Sequence, residues 1–241
     1  MTTNTINLVD AVASGIRRGD DWGKDSLHVT DLRHALPGEG CPRQLWLRLR
    51  GAEARPHTLG EQLRFDRGHY FHEYMVDVLN KGLPKGWTVK LVEQSLTGLL
   101  PHGIRGTLDV LLEHPGGVRV LDFKTVRGRA FAYLDDAKLA HQLQVRTYSM
   151  AIDAEGADVL YIDREGTNGV RAFRVERDDE QVRACAEAVV GYASADEPEP
   201  VLEPELGIRE NKGPDSVYLN EPWQCQYCEF RDVSCPGALP R

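Results

Sequence analysis

Apolar and polar positions alternate by two along "WTVKLVEQSL" and "VRVLDFKT", and recur by three and four along "TLGEQLRFDRGHYFHEYMVDVLNKG". The first rhythm belongs to half-buried strands, the second to an amphipathic helix. Taken along the chain, these rhythms place a short helix from Thr30 in "HVTDLRHAL", broken by "PGEG". A second helical piece lies in "CPRQLWLRLRG", with proline near its first turn. The clearest helix starts at Thr58, where Thr58 and Glu61 have capping-box spacing, and ends at Lys81-Gly82. Gly68, His72, Met75 and Leu79 share its inward face. Strands follow in "WTVKLVEQSL", "GIRGTLDVLLE" and "VRVLDFKT", the last two flanking the turn signal "HPGG". "YLDDAKLAHQLQVRTYSMAID" returns to helical spacing. "ADVLYID" and "VRAFRVE" are two further strands around "REGTNG", and "DDEQVRACAEAVVGYAS" is a helix capped by Asp178 or Asp179. From Asp196 to about Pro222 the chain is acidic and proline-rich, a linker or wrapping segment that delivers a cluster of cysteines. No internal repeat is visible. This order predicts a mixed α/β or α+β core flanked by helices.

Composition fits such a fold. The chain has 241 residues, 41% hydrophobic and 27% charged, values that support a real core and exclude wholesale disorder. Residues 1–25 are polar and rich in Gly and Asp, and are expected to form a flexible arm. Residues 26–241 are expected to be a single domain with its core at about 58–195. No apolar run reaches membrane-spanning length, and "MTTNTINLVDAVASG" lacks the basic-then-apolar order of a secretion signal. The expected compartment is the cytoplasm, with no membrane partner. Net charge is −8, which argues against a nucleic-acid partner until its distribution is considered. Arg43, Arg48, Arg50, Arg55, Arg64 and Arg67 fall close together against Glu53, Glu61 and Asp66, while the acid excess lies late, in "ERDDE" and "ADEPEPVLEPELG". One end of the fold can therefore be locally basic. Taken alone, these arginines have a plainer reading as solvated helix faces.

The hairpin around "HPGG" carries the chemistry. With Glu113 opposite Val118, Asp109 falls opposite Asp122, their Cβ atoms roughly 4.5–5.5 Å apart on one face. Lys124, two residues on, shares that face. Leu108, Val110, Leu121 and Phe123 point the other way and can be core. Facing carboxylates repel unless a cation lies between them or one is protonated. Mg²⁺ and Mn²⁺ favour such oxygen ligands, and a lysine alongside can orient a water or stabilise charge on a phosphate. The bland alternative is an Asp–Lys pair on a solvated sheet face.

These residues resemble the core motif of the PD-(D/E)XK nuclease superfamily in "GTLD…LDFKT", with Asp109 and Asp122 as the acids and Lys124 as the lysine. Leu108 replaces the proline before the first acid. Gly106 to Asp109 resembles the G-x-x-D form of the RecB-like branch. Gln144 and Tyr148 in "HQLQVRTYSMA" match its Q-x-x-x-Y motif, and "RGHYFHE" matches its histidine motif through Arg67, Gly68, His72 and Glu73. The resemblance implies that His72, Asp109, Asp122 and the backbone carbonyl of Phe123 ligate Mn²⁺ or Mg²⁺. It implies that Lys124 positions the attacking water, and that Gln144 and Tyr148 hold the site and contact the DNA backbone. His69 and His141 compete with His72 but stand at the wrong motif positions.

There are five cysteines, an odd count that disfavours a disulfide framework in a chain without a secretion signal. Cys225, Cys228 and Cys235 read C-x2-C-x6-C. Three thiolates rarely complete a closed site, and Cys41 is the obvious fourth if the tail folds back over the N-terminal helices. Cys185 sits in an ordinary amphipathic helix and reads as a small buried residue. A zinc ribbon brings two local pairs. One remote cysteine and three clustered ones instead resemble the iron–sulfur clasp of RecB-like nucleases, among them AddB-type helicase–nucleases and CRISPR-associated spacer-acquisition nucleases. That implies a structural 4Fe–4S cluster in preference to zinc, joining regions near 41 and 223–236. The whole resemblance implies an α/β fold, a central mixed β-sheet of about four or five strands flanked by helices, that carries a metal-dependent exonuclease favouring single-stranded DNA, with 5′→3′ polarity. Arg43, Arg48, Arg64 and Arg67 would line the strand's path. Recombination or CRISPR-adaptation proteins are the implied partners, in a phage or CRISPR-associated setting. A structure-specific endonuclease, and a DNA-gripping subunit that does not cut, are the alternatives.

Overall fold

A computed structural model describes residues 26–166, 169–196, 205–208, 217–220 and 222–236. The arm expected at 1–25 and most of the acidic segment lie outside the described residues, as does the side chain of His69. The frame is a five-stranded sheet in sequence order: β1 (Thr88–Ser95), β2 (Thr107–His114), β3 (Gly117–Val126), β4 (Gly156–Asp163) and β5 (Val170–Glu176). Hairpin connections make the pairs β1–β2, β2–β3 and β4–β5 antiparallel. The β3–β4 pair is parallel because the chain must cross over between them. It does so through two helices, α3 (Gly128–Ala132) and α4 (Leu139–Ala151). The sheet is therefore mixed, as the resemblance implies.

Helices cover both faces. The long α2 (Leu59–Gly82) begins with the expected reciprocal cap between Thr58 and Glu61. Its Phe71, Met75 and Leu79 pack on Val110, Leu112, Leu121, Phe123 and Ile162. On the opposite face, α4 and α5 (Asp179–Ser194) bring Leu143, Val145, Tyr148, Val182 and Val189 against Val120, Val159 and Tyr161. Asp178, not Asp179, caps α5, its Oδ1 accepting the Gln181 N–H at 3.0 Å. The helix α1 (Pro42–Leu49) starts on its proline. No helix among the described residues is long and apolar enough to cross a membrane.

Several local expectations shift. The first helix is a 3₁₀ helix, Val29–Ala35, whose tight turn is held by the His28 N–H on Asp31 Oδ2 at 2.7 Å. Helix α4 begins at Leu139 rather than near Tyr133. Leu108 packs with the α4–α5 cluster, not with Val110. The "HPGG" register holds from His114↔Gly117 to Val110↔Leu121, then the β2–β3 ladder ends. Asp109 and Asp122 are one step beyond it, so they are not a ladder pair. Asp109 Oδ2 instead accepts the Phe123 N–H at 2.8 Å. Meanwhile β3 continues beside β4 as far as Val126↔Asp163, and the two hairpin strands part where the acids stand.

Candidate active site

The parting of β2 and β3 gives the acids their surroundings. Asp122 is fully buried, and neither of its carboxylate oxygens receives a well-directed hydrogen bond. Lys124 Nζ stands 2.7 Å from Asp122 Oδ2, a charge contact rather than an aligned donor. Burial works to lower the Lys124 pKa, but Asp122 and then Asp109 outweigh it and leave the amine raised. Asp109 is pushed up to about 7, first by burial and then by the Asp122 charge, with Lys124, His72 and the Phe123 N–H only partly offsetting them. Two buried acids and one lysine thus share a cleft with a deficit of positive charge. In an extended strand a residue's N–H and C=O point to the same side. The Phe123 carbonyl therefore faces the gap into which its N–H points.

His72 reaches this cleft from α2, on the other face of the sheet. Its ring meets Phe123 edge-on with centroids 5.6 Å apart, and its Nδ1 lies 3.6 Å from Asp109 Oδ2 and 3.4 Å from Glu93 Oε1. Burial alone would lower the His72 pKa; Glu93 and Asp109 reverse that and raise it. His72, Glu93 and Asp109 each offer a ligand atom within 4.8 Å of the others. Asp122 is not part of that trio, so the acids and His72 do not converge on one point as the motifs imply.

Glu93 escapes sequence reasoning. It lies on β1 with φ +47, a left-handed backbone that costs a non-glycine residue on the order of 1–3 kcal/mol. The β1–β2 register shifts between Val89 and Leu91. The one available signal is the double apolar step "LV" before Glu93, which interrupts the strand's alternation.

Gln144 and Tyr148 lie on α4, and Gln144 Nε2 donates to the Tyr148 hydroxyl at 3.2 Å. Burial raises the Tyr148 pKa, with Asp122 and Asp109 adding to the effect, so the phenol keeps its proton. Gly106 is required by close approach: a Cβ there would stand 2.6 Å from Val29 Cγ2 and 2.9 Å from Tyr148 Cε1. His141 is a brace. Burial, then Lys124 and Lys138, lower its pKa to about 3, and Nδ1 pairs with the Tyr161 hydroxyl at 2.7 Å.

The predicted arginines divide. Arg48 is tied to Asp31 and to the Ser26 carbonyl. Arg43 sits on α1 beside Cys41. Both are half-buried, whereas Arg64 and Arg67 are exposed on α2.

The tail does fold back. Gln224 Nε2 donates to the Gly38 carbonyl at 2.6 Å, the Arg55 N–H to the Glu229 carbonyl at 2.8 Å, and Ser234 Oγ to the Glu53 carbonyl at 2.7 Å. Cys41, Cys225, Cys228 and Cys235 consequently line one pocket, with Gln44, Leu47, Gln224 and Arg231. All are free thiols, and burial pushes Cys41 up and Cys228 up to about 12. No three of their sulfurs lie within 4.8 Å of one another. A tetrahedral zinc, with bonds of about 2.3 Å to sulfur, demands a tighter set. Cys185 is buried in the α5 core.

A family model described as the PD-(D/E)XK nuclease superfamily matches residues 74–236. The match includes both acids, Lys124, Gln144, Tyr148 and four of the five cysteines, all but Cys41, and begins just after His72. No curated protein matches. Among solved structures, the chain resembles SSO0001 at 18% identity and a TM-score of 0.49, covering 96% of this chain and 93% of that one. It resembles the alkaline exonuclease LHK-Exo from Laribacter hongkongensis at 14% identity and 0.49, covering 70% and 86%. A phage related exonuclease from Haemophilus somnus 129PT gives 15% identity and 0.49, covering 70% and 92%.

Proposed function

The chain belongs to the PD-(D/E)XK nuclease superfamily, and from that premise we propose that it is a metal-dependent DNA exonuclease that prefers single strands. The observation that carries this reading is Asp122, a fully buried carboxylate that receives no well-directed hydrogen bond and has only the Lys124 ammonium beside it. Beside it stand a second acid driven up toward neutrality and a single lysine. Such a set calls for a divalent cation. Asp109, Asp122 and the Phe123 carbonyl would hold one Mn²⁺ or Mg²⁺, and His72 and Glu93 would hold Asp109's other side. A bound divalent ion supplies Lewis acidity, which makes water a nucleophile near neutral pH and supports the leaving oxygen.

The remaining roles fall to the side chains. Lys124, kept charged by the two acids, orients the attacking water and meets the charge that builds on the phosphoryl oxygens. Tyr148, protonated and steadied by Gln144, donates to the phosphate. Asp109 fixes the β3 backbone through the Phe123 N–H. Phe65, Tyr70 and Tyr74 expose their rings on α2, and such rings stack with bases of either sequence or strand. They favour the single-stranded substrate. The 5′→3′ polarity and partnership with recombination or CRISPR-adaptation proteins are carried over from the RecB-like resemblance, while the cytoplasmic setting and the single-domain organisation of residues 26–241 rest on the sequence pattern and length alone.

The four cysteines fit a 4Fe–4S cluster better than a zinc ion, since they share one largely apolar pocket at a spacing wider than one ion needs. The cluster would join the α1 region to the tail and act in stability, not chemistry. Anaerobically purified protein is expected to be brown, with iron and acid-labile sulfide at four each per chain. A colourless protein carrying stoichiometric zinc refutes the cluster. For the reaction, end-labelled linear and closed circular single strands should be compared with Mn²⁺. Stepwise loss from the 5′ end of the linear strand, with the circle intact, is expected. Cleavage of the circle would make the enzyme an endonuclease.

A further inference from the structure

The apolar stripe of α2 becomes basic where it runs beyond the sheet. Phe71, Met75 and Leu79 pack on the strands. Steps of four and seven residues back from Phe71 follow the same stripe and arrive at Arg67 and Arg64, both exposed. Below that overhang β3 and β4 end together. Their parallel register closes at Val126↔Asp163, and the Arg164 N–H donates to the Val126 carbonyl at 3.0 Å. The next residues, Arg127 and Arg164, are therefore neighbours at the carboxyl ends of two parallel strands, where open α/β sheets bind ligands.

Helix and strands bring Arg127, Arg67 and Arg64 close enough to act on the Arg164 guanidinium. Burial, then Arg127, Arg67 and Arg64 in that order of effect for the charges, hold the Arg164 pKa low. Glu165 opposes them, but its Oε2 is engaged by the Gly128 N–H at 3.3 Å. Among the described residues Arg67, Arg127 and Arg164 form no ion pair, and Arg64 reaches Glu61 at 4.0 Å, a carboxylate already held on both oxygens by Arg55. Four like charges gathered from three segments against the single carboxylate of Glu165 weaken a fold unless an anion joins them. The planar guanidinium fork suits phosphate oxygens above others. The cluster is also close to the chemistry. Arg67 precedes His72 by five residues, about 7–8 Å along the helix axis. Arg127 follows Lys124 by three residues, about 10 Å along the strand.

We propose that Arg64, Arg67, Arg127 and Arg164 form a phosphate subsite that grips backbone phosphates of the substrate strand next to the scissile one. The inference rests on the nuclease reading and gives it a direction, since the strand must leave the cleft over the carboxyl ends of β3 and β4. A fluorescein-labelled oligothymidylate, titrated in EDTA across a salt series, tests it with the full chain. Each phosphate contact contributes about 0.7 to the slope of log K against log salt for a single strand. The double variant Arg127→Gln/Arg164→Gln is expected to lose about 1.4 from that slope. Its melting temperature should hold or rise, because repulsion is removed. Arg183→Gln on α5 should change neither.

An unchanged slope in the double variant, beside a wild type that binds, overturns the subsite. So does a lower melting temperature with unchanged slope, which would make these arginines props of the fold. Equal losses on 5′-phosphorylated and 5′-hydroxyl strands support backbone phosphates; a loss confined to the phosphorylated strand overturns that assignment in favour of a terminal phosphate. A wild type that neither binds nor cuts DNA sinks the nuclease reading itself.

Discussion

Asp109→Asn should make the metal-free protein more stable. The side chain keeps an oxygen for the Phe123 N–H, now accepted at 2.8 Å by Asp109 Oδ2, and loses only the charge. That charge is unwelcome: burial and Asp122 raise the carboxyl from 3.8 to about 7. Between those values the folded state keeps a proton that the unfolded chain releases, so stability falls as pH rises across the window and levels off above about 7. At about 1.4 kcal/mol per pKa unit, the whole shift bounds the penalty at about 4 kcal/mol. Water entering the cleft and movement of Lys124 reduce it to about 1–2 kcal/mol. In a protein of this size that is a rise in melting temperature of about 2–8 °C. Calorimetry in EDTA at pH 8 should show this gain, and it should shrink as pH falls through the window and vanish below 3.8, where the wild-type carboxyl is protonated both folded and unfolded. Added Mn²⁺ should raise the melting temperature of the wild type and do little for the variant. A variant that melts below the wild type at pH 8 in EDTA would refute the reasoning, because Asp109 would then be an ordinary satisfied carboxylate.

Lys124→Met should abolish cleavage and also cost stability, about 3–5 kcal/mol, since it strands the fully buried Asp122; denaturant melts beside a gel assay separate the effects, and a fully stable variant contradicts the pairing. Gly106→Ala forces a methyl to 2.6 Å from Val29 and 2.9 Å from Tyr148. It should destabilise by about 1–3 kcal/mol and slow cleavage through the displaced Tyr148, and a neutral effect on both would show that this approach is not tight.

Local signals made much of this fold legible. Cap spacing located α2, short apolar or alternating runs between turn signals located the five strands, and the "HPGG" turn fixed a register that holds as far as Val110↔Leu121. Motif spacing brought Asp109, Asp122 and Lys124 to one cleft. What stayed hidden is non-local. Asp109 and Asp122 part because a side chain, not a backbone carbonyl, takes the Phe123 N–H, and a pattern of polar and apolar residues cannot report that choice. Glu93 reaches His72 through a left-handed backbone, which no propensity favours for glutamate. Arg127 and Arg164 look unrelated in sequence until the parallel crossover sets them side by side. Arg48 looked like part of the same basic run, yet Asp31 and the Ser26 carbonyl hold it.

The central claim is that a divalent cation held by the hairpin acids drives phosphodiester hydrolysis. Its most direct test is the rate at which end-labelled single-stranded DNA is hydrolysed by wild type and Asp122→Asn, each with Mn²⁺ and with EDTA. Hydrolysis by the wild type with Mn²⁺ alone, and by the variant under neither condition, is the predicted result. Cutting that survives in EDTA, or that Asp122→Asn leaves undiminished, would contradict the account.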